Sequence, residues 1–178
     1  VPQADDVWAV CGEVLQAALV GLATLPAGAP ARNFVGYVTP GADCDCAGGG
    51  QVACWPTQIR ESATRTAGGT EGGHHVALNN VVIEVAMTLQ IIRCIPTISD
   101  TGKPPTPAQI DNASHAIHSD AWFLWCWLRE EKRAERLLAG LCREIWFDAM
   151  TPEPALGGCA GWNVNLRTQI DGYKPVVA

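Results

Sequence analysis

Val76-Ala-Leu-Asn-Asn-Val-Val-Ile-Glu-Val-Ala-Met-Thr-Leu-Gln-Ile-Ile-Arg-Cys94 holds one residue period longer than any other part of the chain. From Val81 to Ile91 every odd position is large and apolar (Val81, Ile83, Val85, Met87, Leu89, Ile91), while Glu84, Thr88 and Gln90 fall on even positions. A period of two predicts a long strand with a buried odd face. The even face has to meet water, a partner subunit or a polar layer, as in an antiparallel sheet covered on one side.

The elements that pack on this strand are read outward from it. Before it, Val7, Val10, Cys11, Val14, Leu15, Ala18, Leu19 and Leu22 recur at three- and four-residue steps, predicting an amphipathic helix over 4–23 that Pro26 and Pro30 bring to an end. Asn33 to Val38 and Gln51 to about Ile59 read as strands, the second weakened by Pro56 and so placed near an edge or bulge. The Gly-rich stretches 41–50 and 61–75 read as surface loops.

After the long strand, Thr106-Pro-Ala-Gln109 has the form of a capping box and predicts a second helix from there to about Arg129, followed by a charged stretch to Arg136. Arg143 to Asp148 and Gly161 to Asp171 predict two closing strands, with Gly157 to Gly161 as the turn between them. The expected fold is a single α+β domain over 1–178, a mainly antiparallel sheet with an N-terminal helix and a second helix packed on it.

At 178 residues and 48% hydrophobic content the chain has the bulk for one substantial core. Glu84 and Gln90 interrupt the best apolar run and the amino end is acidic, so the expectation is a soluble product of the cytosol with no membrane contact. The net charge of −6 argues against general nucleic-acid binding, though an acidic wall suits a channel that DNA passes without sticking. Because the cytosol keeps thiols reduced, the eight cysteines are not expected to form an obligatory disulfide framework.

Three clusters invite chemistry. Cys44, Cys46 and Cys54 with His74 or His75 make a candidate zinc set, although Cys-x-Cys is tighter than the usual knuckle; no cofactor is expected otherwise. His115 and His118, with Asp111 and Asp120 nearby, form a second candidate, set against the reading of an exposed polar helix face. Trp122, Trp125 and Trp127 with Phe123 form an aromatic patch wider than one helical stripe, so part of it is expected at a subunit interface. Phosphate-binding, nucleophile-elbow and dinucleotide motifs do not occur, and no enzyme activity is expected.

Asp43-Cys-Asp-Cys46, Gly50-Gln51, Ile92-Arg-Cys94, Pro104-Pro-Thr-Pro-Ala-Gln109 and Gly157-Gly-Cys-Ala-Gly-Trp162, taken in that order, resemble the neck proteins of long-tailed phages that infect Actinobacteria. The helix-first α+β order is similar to the lambda-type tail terminator family. That resemblance implies a homo-oligomeric ring, a hexamer, in the virion neck and assembled in the host cytoplasm. The ring would cap the tail tube protein, meet the head completion or connector protein, and let genomic DNA pass through its lumen. Loops 41–50 and 61–75, carrying Asp43, Asp45 and Glu71, are the segments expected to reach these partners. Cys54-Trp55-Pro56 and the Gly-rich 61–75 insertion depart from the family pattern. Two alternatives stand beside it: a head completion protein (adaptor or stopper) of the same neck, and a small zinc-binding intracellular domain.

Overall fold

A computed structural model describes residues 5–36, 46, 48–63, 81–99, 101–142, 144–156 and 158–171. In chain order the elements are helix α1 (Asp5–Leu22), strands β1 (Arg32–Val35), β2 (Gln51–Ala63) and β3 (Val81–Cys94), helix α2 (Pro107–Arg133), and strands β4 (Glu144–Leu156) and β5 (Cys159–Asp171). One five-stranded sheet has the order β1-β2-β3-β5-β4. Of its pairs, β1–β2 is parallel, and β2–β3, β3–β5 and β4–β5 are antiparallel. The chain is therefore an α+β fold, and the long strand is its centre, flanked by β2 and β5.

The odd face of β3 is buried as its period requires. Val85, Met87, Leu89 and Ile91 meet Val10, Val14, Ala18 and Leu22 of α1 and Ala121, Leu124 and Leu128 of α2 in one core cluster. Val52 and Cys54 of β2 and Val164 and Leu166 of β5 flank them at the same depth. Full burial of one such Val or Leu contributes about 1.5–3 kcal/mol, so this face holds both helices on the sheet.

The even face is a polar layer of the sheet's own making. Glu84, Thr88 and Gln90 are all buried, and Thr88 donates to Asn165 Oδ1 at 2.9 Å across the β3–β5 ladder. Val82 and Ile92 are buried on that face as well.

Two strands run further than their sequence suggests. β2 continues to Ala63 because the register shifts between Pro56 and Gln58, a bulge that absorbs the missing proline N–H. β4 continues past Asp148 to Leu156 in spite of Pro152 and Pro154, because it is an edge strand whose outer side needs no ladder bonds. Helix α2 likewise takes in part of the charged stretch, ending at Arg133. Among the described residues no helix is long and apolar enough to cross a membrane.

Candidate assembly surface

Helix α2 spans about 40 Å at 1.5 Å per residue. Its start is fixed by the expected capping box: the Gln109 N–H donates to the Thr106 hydroxyl at 3.3 Å, and the Thr106 N–H donates to Gln109 Oε1 at 2.9 Å. Yet burial begins only at Ile117, and through 107–116 every residue is exposed except the half-buried Ala113. Ile110, in the middle of that overhang, is 50% exposed. Helical turns without a packed face are marginal in water, so this end of α2 draws little stability from the core.

The tryptophans divide differently from expectation. Trp125 packs edge-on against Phe147 of β4 with ring centroids 5.4 Å apart, and it belongs to the fringe of the core. Trp127 donates its indole N–H to the Ala17 carbonyl at 3.0 Å and stacks with Phe123, which ties α2 to α1. Their contacts lie within the chain. Trp122 alone of the three is exposed, at 56%; on α1, Trp8 is exposed as well, at 47%.

Beside Trp127, α1 and the end of α2 form an open cleft of about 350 Å³, floored by Ala17, Val20 and Leu138. At its rim Arg136 donates two hydrogen bonds, of 2.8 and 2.7 Å, to Glu131 and holds that carboxyl below its ordinary range.

Across the polar sheet face a charged row links all four long strands. Glu84 accepts from Arg60 and, at 3.4 Å, from Arg167; Arg167 grips both oxygens of Asp148 at 2.7 and 2.8 Å. Asp148 lies two residues beyond Trp146, the cross-strand partner of Arg167, and so shares its face. The Arg167 guanidinium also lies over the Trp146 ring, and its pKa is raised chiefly by the hydrogen bonds to Asp148. Further along this face, both amide atoms of Gln51 and one each of Gln90 and Asn163 are buried without a hydrogen-bond partner.

The cysteines correct the reduced-thiol expectation. Cys46 and Cys94 form a disulfide that closes a 48-residue loop, with Cα atoms 5.5 Å apart. Closing a loop of that size stabilises a chain by about 4 kcal/mol in the chain-entropy account. Cys159, the cross-strand partner of Cys94, is also disulfide-bonded, and its Sγ lies 4.0 Å from that of Cys46.

Cys54 does not join Cys46 as the zinc set required. It faces the core, fully buried, with its thiol donating to Cys11; that contact and burial push its pKa well up. The same pairing lowers that of Cys11. Cys44, His74, His75, Asp43, Asp45 and Glu71 lie outside the described residues.

The histidine candidates also separate. His115 is exposed beside Ser119, and His118 rests on the Trp162 ring at 5.3 Å. Asp120 turns inward instead, to a buried ion pair with Arg93 at 2.9 Å. Arg93 further donates to the Gly49 and Gly28 carbonyls, each at 2.7 Å, and so binds α2 and two loops to the end of β3. Neither this pair nor the Cys46–Cys94–Cys159 cluster was foreseen. The available signal was the register of two alternating strands, which sets Cys94 opposite Cys159.

No protein-family model matches the chain, and no curated protein matches it.

Proposed function

We propose that this chain is a structural virion protein, the tail terminator of a long-tailed phage. It forms a ring of six copies that caps the tail tube and joins it to the head connector. The observation that carries the reading is the exposed first ten residues of α2, 107–116, whose turns would gain a packed face from a neighbouring subunit. Trp122 on the same helix supplies an exposed aromatic anchor of the kind that dominates subunit interfaces.

Contacts between identical subunits of a ring are head to tail and close by rotation, so two different surfaces of each copy are used. The α2 overhang provides one of them. The net charge of −6 suits a ring whose lumen DNA must traverse without being held. Disulfides suit a protein that acts in a released particle, outside the reducing cytosol where it was made.

Deleting the gene in a phage that carries it tests the assignment. A terminator's absence leaves tails that overrun their normal length. Tails of normal length that fail to join heads would instead assign the chain to the adaptor or stopper ring of the same neck.

A further inference from the structure

Cys46, Cys94 and Cys159 bring three sulfur atoms within 4.8 Å of one another beside the end of β3 and the start of β5. Cys94 ends β3 and Cys159 begins β5, as direct cross-strand partners. Just beyond them the Ile95 N–H donates to the Gly158 carbonyl at 2.9 Å and fixes the two strand ends together. Cys46 approaches from the segment that leads into β2. That segment passes close to β3: a Cβ on Gly50, at φ +102°, would lie 2.0 Å from the Ile92 carbonyl oxygen. A second glycine, Gly161, allows the same close approach to the Ile91 carbonyl from the other side. Two of the sulfurs are therefore held by the ladder, and the third by a backbone that only glycine permits.

We propose that these three cysteines are a redox-alternating zinc centre: reduced, they hold one Zn²⁺ as thiolates; oxidised, Cys46 and Cys94 return to their shared disulfide, Cys159 returns to its own, and the ion is released. Zinc binds thiolate sulfur at about 2.3 Å, which places tetrahedral sulfurs about 3.8 Å apart. The 4.0 Å separation of Cys46 and Cys159 already meets that spacing, and the Cys94 sulfur, bonded to that of Cys46 in the disulfide, moves out by about 2 Å once that bond is reduced. The fourth position falls to a ligand from outside the three. The burial gradient suits metal entry, with Cys46 exposed, Cys94 half-buried and Cys159 buried.

The chemistry balances in both directions. A dithiol or phosphine reductant delivers two electrons per disulfide, two protons are taken up, and two thiols form. Zinc binding then releases one proton per coordinating thiol. In the reverse direction glutathione disulfide accepts the electrons, giving two glutathione thiols for each protein disulfide formed, and the metal leaves because disulfide sulfur is not a zinc ligand. In the reducing cytosol the ion takes over the work of the disulfides, tying the segment before β2 to the ends of β3 and β5. This holds whether or not the chain is a neck protein.

The test uses the full chain, reduced with a phosphine, with and without added Zn²⁺. After gel filtration, zinc is counted by elemental mass spectrometry and each cysteine's alkylation by iodoacetamide is followed by peptide mass spectrometry. The expected result is one zinc per chain, alkylation of Cys46, Cys94 and Cys159 slowed at least tenfold, Cys126 unprotected, and the metal lost on adding glutathione disulfide. Zinc well below one per chain would overturn the proposal. So would a footprint that spares Cys94 or Cys159, because protection must fall on all three.

Discussion

At the scale of single residues, Gly21 shows how closely the two helices are fitted. A Cβ built there would lie 2.6 Å from the Trp127 ring, whose indole N–H is committed to Ala17. Gly21→Ala gains at most about 1 kcal/mol of helix propensity and loses about 1–3 kcal/mol to overpacking. The variant is expected to be less stable, read as a lower urea midpoint at unchanged slope; a raised midpoint would show that the helices part easily. Arg93 and Asp120 make the opposite case, a charge that needs its partner. Asp120→Ala leaves a buried guanidinium with carbonyl acceptors only and is expected to cost about 3–5 kcal/mol, whereas a loss below about 1 kcal/mol would show that water reaches the site.

At the scale of elements, the parts with an unbroken period were legible before any coordinates. The alternation of Val81 to Ile91 and of Trp162 to Ile170 identified β3 and β5, and the Thr106–Gln109 box set the start of α2 to the residue. The extension of β2 and β4 was not legible, because proline argues against a strand unless one knows which strand has a bulge or a free edge. The candidate site was less readable still. Helical spacing put Trp122 and Trp125 on one side, but packing against Phe147 takes Trp125 into the chain and leaves Trp122 outside. Cys94 and Cys159 are brought together by strand register and Cys46 by its disulfide to Cys94, none of which local spacing encodes. The capping box also makes a prediction at this scale, since it guards a helix end with little packing behind it. Thr106→Ala removes about 1 kcal/mol, and the loss is expected as roughly fivefold faster hydrogen exchange confined to 107–116, with the global unfolding temperature unchanged. A fall in that temperature would mean that the overhang is coupled to the core.

At the scale of the whole molecule, Trp125 and Trp127 pack within the chain while Trp122, the residue proposed for assembly, stays exposed. Trp122→Ala is expected to leave monomer stability within about 0.5 kcal/mol and to abolish or weaken the oligomer seen by native mass spectrometry. Trp125→Ala is expected to cost about 3 kcal/mol of stability, because it empties the contact with Phe147. Equal effects of the two on folding would remove the distinction. The central claim, a place in the neck, is met most directly by immunogold electron microscopy of virions that carry this chain, with an antibody whose binding to the native protein has been verified. The account predicts label confined to the junction of head and tail; label elsewhere on the particle, or none on intact virions, would contradict it.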